Sequence, residues 1–275
     1  MNPPTIDSIA LLNQVIAERQ NGSNAAFFNG IALEWRDRVQ SYLDSHGSPE
    51  VVAQWPAIED DKDKLINLYK NRTKGSAQGT AIRDLRQHSL QICPACGEFG
   101  RPNTLDHYLP KGIYPHFAVV PHNLFPMCDA CQGIKLEKVG DGDTARFFIH
   151  PYYDRFTCSQ LATLSIVAPF ETPTFTLVPN PELDVAERAL VATHLKELGI
   201  AERYIDFFKE EYRRLLRLVH LMRSNGQDCE ATLSFFRFNA HDVSPSSWQH
   251  VFYDGVLSNS ELIGYLTYSD LPPYL

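Results

Sequence analysis

Two CxxC pairs, Cys93-Pro94-Ala95-Cys96 and Cys128-Asp129-Ala130-Cys131, constrain this chain more than any other feature. Each pair presents two sulfurs on one side of a tight turn. Together they supply the four thiolates of one tetrahedral zinc site with no open position, so Zn²⁺ here would be structural. A redox reading of the thioredoxin type needs one pair inside a βαβ pattern, and no such pattern surrounds either pair. The other two cysteines, Cys158 and Cys229, are expected to be buried free thiols. Between the two pairs lie Asp106, His107 and Asn123.

The remaining composition is that of an ordinary globular chain, with 275 residues, 44% hydrophobic and 21% charged, enough for a sizeable core. No apolar run approaches the roughly 20 residues of a membrane span, so no membrane association is expected. Met1 to Pro4 carry neither a basic nor an apolar leader, so no signal peptide is expected. Six cysteines without a leader point to a reducing cytoplasm, where CxxC pairs hold metal more often than they form disulfides. The formal charge of -8 argues against a uniformly basic nucleic-acid binder. The charge is uneven, however: from Lys62 to Lys138 there are eleven Lys and Arg against six Asp and Glu, a local excess of +5.

Hydrophobic periodicity predicts helices on both sides of the cysteine-bearing stretch. Ile6, Ile9, Leu12, Val15 and Ile16 recur at helical spacing behind an Asp7 or Ser8 cap. Further helices are expected over Ala25 to Leu43, Trp55 to Asn71 and Thr80 to Leu90. Residues 1–90 thus read as a helical N-terminal region and 91–154 as the active module. In 155–275, Leu161 to Val167 and Thr174 to Val178 alternate as strands. Helices follow over Glu182 to Leu198, closed by Gly199, and over Ala201 to Ser224. Trp248, Val251, Phe252, Leu257 and Leu262 add one or two short helices. No Walker or dinucleotide-binding signature is present. The fold class expected is α+β, mostly helical.

Within the module, Thr104 to His107 reads as a strand stopped by Pro110. Adjacent strand residues face opposite ways, so Asp106 and His107 can do different work. A carboxylate binds hard cations such as Mg²⁺, and an imidazole near neutrality can take a proton from water. Phosphodiester hydrolysis uses both functions.

Asp106-His107, then Asn123, Leu124 and Pro126, then Cys128, Cys131 and Lys135 follow one another in the order of a known signature. Over residues 91 to 154 the chain resembles the HNH endonucleases, the ββα-metal group, whose pattern is Asp-His, a later Asn, then CxxC-Asn-x-x-Lys. Tyr108 to Lys111, Tyr114-Pro115, Phe117 and Ile149 to Asp154 look most like the HNH subunits beside ATPases in anti-phage systems of the Septu and retron type. The resemblance implies a zinc-stapled ββα-metal (HNH) module embedded between helical regions. A strand ending near His107 would pair with one near Leu124 to Met127, under a helix starting near Asp129. It implies His107 as general base, Asp106 as ligand of a catalytic Mg²⁺ or Mn²⁺, and Asn123 as the residue that holds the loop and His107 in place. Lys135 would approach a DNA phosphate, and Lys111 is a second nucleic-acid-binding candidate. DNA and a partner ATPase subunit are the implied partners.

One position departs from the signature. Gln132 stands where Asn or His would give the second metal ligand, offering the same amide oxygen one methylene further out. His150 is the alternative ligand nearest in sequence. The competing reading is a catalytically degenerate, zinc-stapled subunit that binds nucleic acid or protein.

Overall fold

A computed structural model describes residues 1–71 and 73–272. The chain divides into two units. Met1–Ala95 and Arg101–Asp154 form the first; Cys96–Gly100 and Arg155–Leu275 form the second. The fold is α+β and mostly helical, with two small antiparallel sheets.

In the first unit, the N-terminal helices and the stretch that carries Asp106 and His107 belong to one body. Helix α1, Ser8–Ala17, starts where the Asp7 carboxylate accepts the Ile9 and Ala10 amides, and it buries Leu11, Leu12, Val15 and Ile16. Helix α2, Ala25–Asp44, buries Phe28, Trp35, Val39 and Tyr42. In the turn that follows it His46 and Gly47 both have positive φ, and Gly47 lies so close to the Tyr42 ring that no Cβ fits. The helix expected over Trp55 to Asn71 divides into a 3₁₀ turn, Pro56–Asp61, and α3, Lys62–Lys70. Pro56 opens the turn, and the Ile58 amide closes it on the Trp55 carbonyl in the tight i+3 pattern. Helix α4, Ala77–Arg86, begins at a Ser76 cap, three residues before the expected Thr80.

These helices enclose a hairpin. Strand β1, Thr104–His107, pairs antiparallel with β2, Leu124–Met127, with His107 opposite Leu124 and Asp106 opposite Phe125. Helix α5, Asp129–Lys135, follows directly, capped by Cys128. The loop between the strands is almost wholly buried from Tyr114 to Asn123. Two long-range bonds fix its surroundings: Trp35 Nε1 donates to the His116 carbonyl at 2.7 Å, and the Tyr69 hydroxyl donates to the Leu105 carbonyl at 2.8 Å.

The second unit is built on strands β3, Ala162–Val167, and β4, Thr174–Pro179. Ala162, Leu164, Ile166, Phe175 and Leu177 form its inward face, and the alternating residues face outward. Helix α6, Val185–Glu197, opens with a reciprocal Asp184–Glu187 capping box. Gly199 takes a left-handed conformation before α7, Ile200–Ser224, which buries Tyr204, Phe208, Tyr212, Leu215, Leu216, Val219 and Met222. Helices α8, Cys229–Val243, α9, Trp248–Leu257, and α10, Ser260–Tyr268, complete the unit. Helix α8 has no counterpart in the periodicity reading: it buries only Cys229, Leu233 and Ala240 and leaves Phe235 and Phe238 exposed. The turn after Cys96 is anchored here. Tyr204 and Trp248 both donate to the Cys96 carbonyl, at 2.9 and 2.6 Å, and Arg203 pairs with Glu98 at 3.0 Å. Gly97 has φ +75°, and a Cβ there would meet the Ser246 carbonyl and the Tyr204 hydroxyl.

No helix among the described residues is long and apolar enough to cross a membrane. Cys229 is buried as expected, but Cys158 is exposed, because its 3₁₀ turn, Arg155–Cys158, buries none of its residues.

Candidate functional site

The four sulfurs of Cys93, Cys96, Cys128 and Cys131 lie within 4.8 Å of one another, and none is in a disulfide. Tetrahedral zinc with bonds of 2.3 Å sets its sulfurs about 3.8 Å apart, so the cluster fits that ion with small adjustment. Three of the four cysteines are buried. Backbone amides already point at the sulfurs: Cys128 N–H toward Cys93 Sγ at 3.4 Å and Cys131 N–H toward Cys128 Sγ at 3.5 Å. Such donors favour thiolates. Among the described residues this is the one cluster of three or more His, Cys, Asp or Glu side chains able to share a metal.

Strand β1 ends at the second constellation. His107 is buried, and its Nε2 lies 2.9 Å from the Ala118 carbonyl. A carbonyl only accepts, so the proton sits on Nε2 and the lone pair on Nδ1. Burial and the charges of Lys111 and Lys135 push the pKa down to about 3, against the smaller opposing effect of the Ala118 bond. The imidazole is therefore neutral. The Tyr69 ring stands edge-on to it at 4.5 Å, and the Lys111 ammonium lies 5.7 Å from the centre of that ring.

Asp106 points toward α5. Its Oδ1 accepts from Gln132 Nε2 at 3.3 Å, and its Oδ2 lies 3.0 Å from the Lys135 ammonium. The second contact is ionic, not directional: Oδ2 is buried and takes no directed hydrogen bond. The directed bond of Lys135 goes to the His107 carbonyl at 2.6 Å.

Lys135 thus corrects an expectation. It is 1% exposed and approaches no phosphate from this position. Helix α5 spans only seven residues, so its last side chain folds back over the end of β1. Burial pulls its pKa down, and Asp106 opposes that pull. Lys111 keeps partial exposure and is the basic residue of the two that remains accessible.

Asn123 closes the loop that presents Ala118. Its Oδ1 accepts the Leu109 amide at 2.8 Å, and its Nδ2 donates to the Leu109 and Phe117 carbonyls at 3.0 and 3.3 Å. It therefore fixes His107 indirectly, through the loop.

His150, the alternative ligand considered, has both ring nitrogens engaged by other groups. Nδ1 accepts the Tyr152 amide at 3.2 Å, so Nε2 carries the proton and faces the Tyr42 oxygen at 3.1 Å. The Tyr42 hydroxyl then donates to Asn123 Oδ1 or the His122 carbonyl, each at 3.2 Å. Burial holds the His150 pKa well below the usual histidine range.

Three parts of the site carry no sequence signature. Tyr42 and Tyr69 come from distant helices, and the Ala118 acceptor is backbone. A tyrosine at a helical core position gives no sign of such a role.

Taken together, the fold and site define an α+β chain with a four-cysteine cluster that could hold a zinc ion and a hairpin–helix bearing an Asp-His pair. The chain is similar to Protein ea31 of Escherichia phage lambda, with 29% identity over 219 residues, covering 73% of each chain. No family model matches it, and no solved structure matches it.

Proposed function

We propose that this chain is a metal-dependent endonuclease of the HNH type that hydrolyses phosphodiester bonds of DNA. The observation that carries the reading is the end of β1. There a neutral His107, its tautomer held by the Ala118 carbonyl, stands next in sequence to a buried carboxylate that pairs with Lys135.

Asp106, with the Gln132 amide against its Oδ1, is the carboxylate of the site that suits a hard cation, and a bound cation would share Oδ2 with the Lys135 ammonium. Asp106 and Gln132 would hold Mg²⁺ or Mn²⁺, which when bound stabilises charge on the phosphate and the leaving oxygen. His107 Nδ1 accepts the proton of the attacking water, while Nε2–H stays on Ala118 and prevents the ring from rotating. The negative charge of a phosphodiester offsets the two lysines and raises the basicity of the ring. Lys111 contacts the backbone phosphate. Asn123 keeps the loop, and with it the acceptor for Nε2, in place.

The chain's acidic total suits a subunit that borrows nucleic-acid affinity from a partner. A partner ATPase and a role in anti-phage defence extend the reading, and reduced cysteines suit the cytoplasm. The second reading, a non-catalytic zinc-stapled binding subunit, draws on the Lys135–Asp106 pair, which neutralises the carboxylate without any metal.

The test is zinc-loaded protein on supercoiled plasmid with Mg²⁺ or Mn²⁺, wild type against His107→Ala. The nuclease reading expects nicking or linearisation by wild type and a drop of about a hundredfold or more in the variant. Equal cutting by both proteins removes His107 from the mechanism. Absence of cutting by wild type, with its native partner included, favours the binding subunit.

A further inference from the structure

We propose that Lys135 makes metal loading at Asp106 depend on the nucleic acid: a divalent cation settles there only together with a phosphodiester anion. The proposal rests on the nuclease reading of the same residues and adds how the site is charged.

Asp106 is the single carboxylate of the constellation, and the Lys135 ammonium lies 3.0 Å from its Oδ2. This lysine cannot swing freely. It is 1% exposed, donates to the His107 carbonyl at 2.6 Å, and lies 5.6 Å from the centre of the Phe148 ring. Water does little to screen a pair at that depth. Asp106 faces the Lys135 ammonium directly, and the positive charge of Lys111 acts on both His107 and Lys135. A bare divalent cation approaching this group is repelled, and an anion is attracted. A phosphodiester supplies both the missing negative charge and hard oxygen ligands, the combination by which Mg²⁺ is held with one carboxylate and substrate phosphates. A lysine that merely tied α5 to β1 would affect stability and leave ion affinity alone.

The experiment titrates Mn²⁺ into the zinc-loaded full-length chain and reads free Mn²⁺ by electron paramagnetic resonance. It is run with and without a hydrolysis-resistant phosphorothioate duplex, subtracting the ions the duplex binds alone. Wild type, Lys135→Met, Lys135→Gln and Asp106→Asn are compared. Without duplex, both Lys135 variants should bind Mn²⁺ at least tenfold more tightly than wild type. The duplex should tighten wild type by a similar factor and the variants much less. Asp106→Asn should remove the binding. Lys135→Gln keeps a donor to the His107 carbonyl and carries the comparison if Lys135→Met fails to fold. Equal affinity of wild type and Lys135 variants overturns the proposal, as does a duplex without effect on wild type or binding that survives Asp106→Asn. The two readings separate cleanly. Tightened Mn²⁺ binding without DNA cleavage by any chain removes the nuclease and keeps the role of Lys135. Cleavage by wild type with unchanged affinities does the reverse.

Discussion

Asn123 holds the loop between β1 and β2 shut with one amide: three directed bonds reach Leu109 and Phe117, and Tyr42 adds a fourth contact. Replacing it with Ala strands a buried amide and two buried carbonyls. Asn123→Ala should destabilise the chain by about 2–4 kcal/mol in urea unfolding; a change within about 0.5 kcal/mol would deny the clamp. His116 shows the opposite case. It is fully buried, and neither ring nitrogen has a hydrogen-bond partner. Burial, with a smaller contribution from Arg38, lowers its pKa from 6.5 to about 3. The folded state therefore resists protonation while the unfolded state accepts it. Stability from this residue is complete above pH 6.5, falls as the pH drops, and is gone below the folded value. Between pH 8 and pH 5 the loss is about 2 kcal/mol. His116→Phe loses no bond and removes that loss, so its unfolding free energy should fall less than that of wild type over the same interval. Equal falls would contradict this. His88, His107, His122 and His150 carry pKa values lowered mainly by burial as well, so the parent unit is acid-labile overall.

The elements around the site are too small to stand alone. Strands β1 and β2 have four residues each, and α5 has seven. A two-stranded ribbon and a two-turn helix are marginal in water. Zinc held by the cysteine cluster would supply what they lack. The chain should bind one zinc, measured with a colorimetric chelator after thiol modification. Zinc removal should lower the thermal midpoint by at least about 5 °C and expose the β1 and β2 amides to hydrogen exchange. Full protection of those amides after zinc removal would show that the helices suffice. This scale also shows what the sequence could convey. The alternation up to His107 and the Pro110 stop located β1, whereas β2 and the start of α5 came from the resemblance to the ββα group. The alternation of β3 and β4 and the stripe of α7 were equally legible, because each buries one face. Helix α8 was not legible, since its face shows Phe235 and Phe238 to solvent and breaks the periodic signal. The burial of Lys135 was hidden for a different reason: a lysine at the end of a short helix looks like a solvated one until the fold brings Asp106 beneath it. The network of His150, Tyr42 and Asn123 joins residues 108 and 81 positions apart, which no local pattern records.

At the scale of the whole molecule, an acidic chain of net charge -8 carries a site where the single carboxylate is paired with a buried lysine and a second lysine stays accessible. On the proposed nuclease reading, the global charge repels nucleic acid and the exposed lysine attracts a phosphate, so binding should be weak and short-ranged. Lys111→Ala should weaken duplex binding at low salt several-fold and reduce the slope of affinity against salt by about one ion, as read by fluorescence anisotropy. An unchanged slope would place the phosphate elsewhere. The central claim is that His107 Nδ1 takes a proton during phosphodiester hydrolysis. The most direct measurement is single-turnover cleavage of a duplex by zinc-loaded wild type, by His107→Ala, and by His107→Ala with added imidazole. The account predicts a drop of at least about a hundredfold in the variant and partial recovery with imidazole. Cleavage by His107→Ala at the wild-type rate would contradict it.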